Sequence, residues 1–213
     1  MPLYTADALI LRTYKLGESD RLVVFLTRDR GKKRGVAKNA RQSRRRFGGA
    51  LEPMTCGRVA YLERERRDLV RLDYVEPIRS PLAAAEGEAL GYIGYFAELI
   101  DEWAPEADPN EMLFRLGASV VEALAGGIPV EPLARYFEYW LLRLQGVYEA
   151  DPRLSSDARS FLDATRTRSP FGLADVPVSR GVLRELEAAH RALITMHLEK
   201  DLKSARVLRE IRK

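Results

Sequence analysis

The residue pattern changes period once, at Ser80-Pro81, and that switch limits the fold of this 213-residue chain more than any other feature. Before it, short β-rich runs are separated by turn residues: Ala8 to Arg12, the turn Gly17-Glu18-Ser19-Asp20, Arg21 to Thr27, a turn at Gly31, then Lys33 to Ala37. Thr55 to Leu62 and Asp68 to Ile78 follow, the latter with Val70, Leu72 and Tyr74 on one face and Arg71 and Asp73 on the other. Five strands in so short a segment predict a small closed or partly open barrel. An OB-fold is the economical assignment, because it has five strands and offers a face and loops to single-stranded nucleic acid. A five-stranded SH3-like barrel satisfies the same pattern.

Beyond Pro81 the apolar residues recur at helical spacing. Helices are predicted over Leu82 to Trp103, over Pro109 to Ala125 closed by Gly126-Gly127, and over Leu133 to Leu144, where Phe137, Trp140, Leu141 and Leu144 share a face. Ser155 to Thr165 and Ser179 to Leu208 supply further helices with serine caps, while Gln145 to Leu154 and Ser169 to Pro177 read as irregular connections. The expected class is α+β: an OB-fold nucleic-acid-binding domain over residues 1–80, followed by an all-α domain over residues 81–213 that contacts partners. An apolar content of 46% with 31% charged residues suits an ordinary soluble globular protein. No apolar run approaches the roughly 20 residues that cross a bilayer, and Met1 to Arg12 lacks a secretion pattern, so the expectation is a cytoplasmic protein with no membrane partner. Cys56 has no cysteine to pair with and reads as a small buried hydrophobe in a strand.

Charge is distributed unevenly. Residues 1–80 carry 19 basic and 10 acidic groups, net +9; residues 81–213 carry 16 and 21, net −5; the sum is the overall +4. Within the first part, Arg28, Arg30, Lys32, Lys33, Arg34, Lys38, Arg41, Arg44, Arg45 and Arg46 stand against one acid, Asp29. Self-repulsion at this density is tolerable when solvent or a polyanion lies alongside, and nucleic acid is the obvious polyanion. Such a cluster binds by releasing condensed counterions, with a salt slope near −0.7 per phosphate on single strands; roughly five contacts give about −3 to −4. Consecutive Arg44, Arg45 and Arg46 splay in different directions and would wrap a strand, without base readout. Tyr4, Tyr14, Phe25, Phe47, Tyr61 and Tyr74 are available for base stacking. Phe47 is the chosen stacking residue because it lies in the polar loop; the others read as core.

Other signals are weaker. His190 and His197 are seven residues apart on a predicted helix, about 10.5 Å, too far to share one ion, and read as partly buried or surface residues. Gly91-Tyr92-Ile93-Gly94 matches the GxxG of a KH loop but lies in an apolar helical run without basic flanks, which favours close helix packing. No Walker A, GxGxxG, GxSxG or HExxH pattern is present, and the pairs Glu63/Glu65 and Glu185/Glu187 are interleaved with arginine. Catalytic residues, a cofactor and enzymatic activity are therefore not expected. Lys200, Lys203, Arg206, Arg209 and Arg212 recur every three residues and predict a basic stripe on the last helix. It either compensates the helix macrodipole or, through Lys203, Arg206 and Arg209, makes a second contact with DNA or with a partner's acidic tail.

Several segments, in order, resemble the RecO recombination-mediator family: Ala8-Leu9-Ile10-Leu11 with Gly17-Glu18-Ser19-Asp20-Arg21; the Thr27 to Gly31 turn; Gly35-Val36-Ala37-Lys38 with Arg44-Arg45-Arg46-Phe47; Leu51-Glu52-Pro53; and His197-Leu198 to Lys203-Ser204. The resemblance implies an N-terminal OB-fold, a helical domain, and a non-enzymatic role in DNA repair. It further implies binding of single- and double-stranded DNA, annealing of complementary strands, contact with RecR and with the C-terminal tail of the single-strand binding protein, indirect action on RecA, and a place with the nucleoid. Many family members carry two Cys-x-x-Cys pairs after the helix ending near Leu144-Gln145-Gly146. Val147 to Ser179 here has neither Cys nor His, so no metal is expected. Two other classes share parts of the pattern: an RNA-associated OB-fold protein, which would prefer RNA to DNA, and a nuclease, which would cleave on addition of magnesium.

Overall fold

The computed structural model describes residues 2–43, 45–63 and 68–212. Five strands come first: β1 (Leu3–Leu16), β2 (Asp20–Thr27), β3 (Gly31–Ala37), β4 (Cys56–Leu62) and β5 (Leu69–Arg79). The helices follow: α1 (Glu88–Trp103), α2 (Glu111–Ala125), α3 (Val130–Leu144), α4 (Ser156–Thr167), α5 (Arg180–Leu198) and α6 (Lys203–Ile211), with short 3-10 turns at Pro81–Ala83 and Pro170–Asp175. The strands close into a barrel in the order β1-β2-β3-β5-β4, β4 returning to pair with β1. Every pairing is antiparallel except β3 with β5. The chain is thus an N-terminal five-stranded OB-fold barrel followed by an all-α region.

Strands β1 and β2 carry near-continuous apolar runs because they serve two cores. Ala8, Ile10, Val23 and Phe25 point into the barrel with Val59, Tyr61, Val70 and Leu72. Leu9, Leu11, Val24 and Leu26 point outward and join the helical core around Phe96, Ile100, Leu113 and Phe137. A bulge in β1 between Ile10 and Arg12 shifts its register against β2. Beyond it the outward positions are Arg12, Tyr14 and Leu16, even-numbered where Leu9 and Leu11 were odd.

Backbone also joins barrel to helices. Lys32 N–H donates to the Pro105 carbonyl at 3.3 Å and the Lys32 carbonyl accepts from Ala107 N–H at 3.0 Å, so the first turn of β3 gains an extra short partner from the α1–α2 connection. Gly31 opens this contact at φ +69, with the Asp108 backbone 2.4 Å from where a Cβ would sit, so only glycine fits.

The structure departs from the sequence-based expectations in specific places. The third strand begins at Gly31 rather than Lys33, so Lys32 is a strand residue together with Lys33 and Arg34. The first helix starts at Glu88, after Gly87 at φ +53, rather than at Leu82. The single helix expected over Ser179 to Leu208 is two: Glu199 adopts the left-handed conformation at φ 53 and ends α5. Lys200 therefore lies in the connector and the continuous five-residue stripe does not form.

Candidate nucleic-acid interface

The ten-cation run does not make one patch. Arg28 and Arg30 sit in the β2–β3 turn at one end of the barrel, and Lys38 to Arg46 follow β3 at the other end. Seven strand residues separate these ends by roughly 20 Å. Arg44 lies outside the described residues.

Much of the run meets the protein's own carboxylates. Arg28 reaches Glu111 at 2.6 Å, Arg34 reaches Glu106 at 2.6 Å, Lys33 reaches Glu63 at 2.8 Å and Lys38 reaches Asp20 at 2.8 Å. Arg30 lies 3.7 Å from Asp29 and over the Tyr4 ring at 4.2 Å. Lys32 is 9% exposed and donates to the Asp101 carbonyl at 2.6 Å, with its carboxylate at 3.2 Å. Lys32 and Lys33 are held inside the structure. The pairs of Arg28, Arg34 and Lys38 are solvent-exposed, worth about 0–1 kcal/mol each, and a phosphate could displace such carboxylates. The Arg28–Glu111 pair holds the Glu111 carboxyl below its ordinary range; the Lys38 and Asn39 hydrogen bonds do the same for Asp20.

Arg41, Arg45 and Arg46 form no ion pair among the described residues. Arg41 donates to the Glu18 carbonyl at 2.9 Å, which fastens the loop to the β1–β2 turn. Arg46 donates to Ser43 Oγ at 3.0 Å and to the Lys38 carbonyl at 2.7 Å. The loop is thus a folded platform, with Arg41 and Arg45 exposed on it.

The assignment of Phe47 as a stacking residue is corrected. Its ring is 2% exposed and packs with Ala50, Leu51, Ala37 and Phe25 in the barrel core. A loop that closes the end of a barrel needs an apolar plug, and Phe47 supplies it among polar neighbours. Phe25 and Tyr61 are also core, whereas Tyr14 and Tyr74, read as core from sequence, are 45% and 37% exposed.

Tyr14 belongs to an arrangement that the sequence reading missed. Register partners run Tyr14↔Leu22, Leu22↔Val36 and Val36↔Arg71, placing these four side chains in one row across the outer face of β1, β2, β3 and β5. Their neighbours on each strand, Val23, Ala37, Val70 and Leu72, face the barrel interior. Tyr14, Leu16, Leu22 and Val36 belong to neither core. The row borders the loop bearing Lys38 and Arg41. The bulge turns Tyr14 off the face shared by Ala8 and Ile10, so the core role expected for it is not met.

On the helical region, Lys203, Arg206 and Arg209 are exposed on α6. Arg212 is instead drawn inward to Glu131 at 2.7 Å and Glu187 at 2.8 Å, and Lys200 pairs with Glu102. His197 is exposed; His190 is 1% exposed, its Nδ1 3.0 Å from Glu138, so it is a buried structural group rather than a partly buried one. Gly91 packs against Leu208 and Ile211 of α6, as close helix packing requires. Burial pushes the Cys56 thiol up to about 12, which leaves it protonated and a poor nucleophile. Among the described residues, no three His, Cys, Asp or Glu side chains are grouped to hold a metal ion, and no helix is long and apolar enough to cross a membrane.

Comparison with known proteins places this geometry. The family model for Recombination protein O N terminal matches residues 1–81, and that for Recombination protein O C terminal matches residues 84–167. The DNA repair protein RecO of Koribacter versatilis is 47% identical over 146 residues, 68% of this chain and 59% of that protein. That of an Anaeromyxobacter species is 43% identical over 154 residues, 71% of this chain and again 59% of the relative's length. The chain thus spans under two thirds of these two relatives. The DNA repair protein RecO of Pelotomaculum thermopropionicum is 31% identical over 240 aligned positions, 96% of this chain and 93% of that protein. The chain belongs to the RecO family.

Proposed function

We propose that this chain is a DNA-binding recombination mediator. It binds single- and double-stranded DNA, anneals complementary strands, and acts with RecR to load RecA on DNA coated by the single-strand binding protein, whose C-terminal tail docks on the helical region. The observation that carries the reading is the apolar and aromatic row Tyr14–Leu22–Val36 on the outer face of the barrel, bordered by the exposed cations Lys38, Arg41 and Arg45. An OB-fold binds single strands by stacking bases on such a face while cations track the backbone. Stacking is sequence-tolerant and the cations contact phosphates, as strand annealing demands. Masking backbone repulsion lets complementary strands approach without an energy source, so no catalytic group is required. Lys203, Arg206 and Arg209 offer a second contact for DNA or a partner's acidic tail.

The test is annealing of complementary oligonucleotides coated with single-strand binding protein. The wild type accelerates annealing. Arg41→Glu/Arg45→Glu loses the acceleration, and its salt slope for strand binding shrinks by about 1.4, the equivalent of two phosphates. Tyr14→Ala weakens strand binding by about tenfold with the slope unchanged, and Tyr14→Phe retains it, since the ring and not the hydroxyl stacks. A wild type without acceleration, or with a preference for RNA of equal sequence, would overturn the reading.

A further inference from the structure

The helical region holds a second basic site that the barrel does not share. The end of α3, the connection that follows it and α4 enclose a cleft of about 390 Å³ whose lining includes Tyr139, Arg143, Tyr148, Arg159 and Arg166. Arg143 donates to the Tyr139 hydroxyl at 3.2 Å, with its guanidinium 5.7 Å from that ring's centroid. Arg159 donates to the Pro152 carbonyl at 2.8 Å. Both acceptors are neutral. The two guanidinium groups are therefore oriented while their charge meets no carboxylate among the described residues.

The acids of the cleft are already engaged. Asp151 accepts two bonds from the Arg153 guanidinium, at 3.0 and 2.8 Å, which holds its carboxyl down at about 2. Asp163 lies 3.6 Å from Arg166. Three lining arginines (143, 159, 166) against two aspartates (151, 163) leave a formal charge of +1. The half-buried Tyr148 forms one wall, its ring edge-on to Tyr139 at 4.8 Å. Burial and the neighbouring Tyr139 raise the Tyr148 hydroxyl pKa, against the opposing effect of Arg143 and Arg166. Arg159 and Arg166 are seven residues apart on α4, about 10.5 Å along its axis, so the cations line a path instead of meeting at a point. A path of separated cations fits a chain of phosphates better than one small anion.

We propose that this cleft holds the sugar-phosphate backbone of a second nucleic-acid strand, with Arg143 and Arg159 each contacting a phosphate and Tyr148 facing an unpaired base. The proposal rests on the DNA-binding reading above and adds a separate site to it. Guanidinium forks match phosphate oxygens two at a time, and contacts to backbone carry no sequence preference, as a site for an arbitrary complementary strand requires. Two strand sites on one chain would bring complementary strands together within a single complex.

The experiment is the stoichiometry of a short single-stranded oligonucleotide on the full chain by isothermal titration calorimetry, with bromodeoxyuridine crosslinking mapped by mass spectrometry. The expected result is two oligonucleotides per wild-type chain and a crosslink at Tyr148. Arg143→Ala/Arg159→Ala should bind one and lose that crosslink, while Tyr14→Ala/Arg41→Glu/Arg45→Glu should bind one and keep it. All replaced side chains are exposed or half-exposed, so folding is retained. Inorganic phosphate should compete only weakly, since one anion reproduces one contact. One oligonucleotide per wild-type chain, or an unchanged count in Arg143→Ala/Arg159→Ala, overturns this inference and leaves the barrel site standing. A wild type that binds none overturns both. Displacement of nothing by DNA, with an acidic peptide bound at Tyr148, would make the cleft a protein dock and also overturn it.

Discussion

Glu138 is the residue on which the buried polar groups of the helical region converge. Only 1% exposed, it accepts from the Tyr95 hydroxyl at 2.8 Å, pairs with Arg135 at 3.0 Å and lies 3.0 Å from His190 Nδ1. Arg135 is itself 2% exposed, and its other carboxylate, Glu187, is more distant at 3.6 Å. Glu138→Ala would leave a buried guanidinium without its main counter-charge, so chemical denaturation should show a loss of about 3–5 kcal/mol. Glu138→Gln, which keeps the shape and one acceptor but not the charge, should lose less; equal losses would show that the charge alone, rather than shape and hydrogen bonding, is at stake. None of this could be read from sequence, since Arg135 and Glu138 look like an ordinary exposed (i, i+3) pair until neighbouring helices cover them. Tyr14 and Phe47 exchanged their expected roles for a similar reason. A one-residue bulge turned Tyr14 outward, and the need to close the barrel turned Phe47 inward, and neither cause leaves a local pattern.

At the scale of elements, the strands and most helices were legible because their periodicity is strong and two caps are conventional: Ser155 and Ser179 each accept from a backbone N–H in the first turn of α4 and α5. The break between α5 and α6 was not, because its cap comes from another helix. Leu202 at the start of α6 offers no side-chain acceptor. Glu98 of α1 does the work instead, accepting from Lys203 N–H at 3.2 Å, from Ser204 N–H at 2.7 Å and from the Ser204 hydroxyl. Burial pushes the Glu98 carboxyl up, but these bonds and Arg12 outweigh it and hold the pKa below the ordinary 4.5. A depressed folded value means that this contribution is fully present above the unfolded pKa and is lost as pH falls through the folded one. Amide exchange of α6 should therefore accelerate only on acidification below about pH 4.5, earlier than in the rest of the helical region. Glu98→Gln should remove that pH dependence and expose α6 to exchange at neutral pH, at a cost of about 1–2 kcal/mol. An α6 that exchanges no faster in the variant would refute the capping role.

Across the whole molecule, the contrast of +9 against −5 is used partly at the junction of the two regions. Arg12 reaches Asp101 at 2.7 Å and Glu102 at 3.3 Å, and Lys32, Arg34 and Arg28 reach Asp101, Glu106 and Glu111. Charge bookkeeping by region found the polarity but assigned all of it to an external polyanion, because sequence separation hides that the acids of α1, α2 and their connection face the barrel. The backbone contact at Gly31 sits in the middle of this charged seam. Gly31→Ala faces two penalties: a left-handed φ of +69, costing roughly 1–2 kcal/mol for an L-residue, and a Cβ 2.4 Å from the Asp108 backbone. Backbone cannot swing aside as a side chain does, so the β3 start and the α1–α2 connection must separate. Thermal or urea unfolding should therefore show a loss above the φ penalty alone, and the amides of Lys32 and Ala107 should lose protection first. Single-strand affinity measured well below the unfolding midpoint should stay near wild type, because Tyr14, Lys38 and Arg41 lie at the opposite end of β3. A variant of normal stability would mean that the connection yields at Asp108, and a stable variant with weakened strand binding would mean that the seam also shapes the outer face of the barrel.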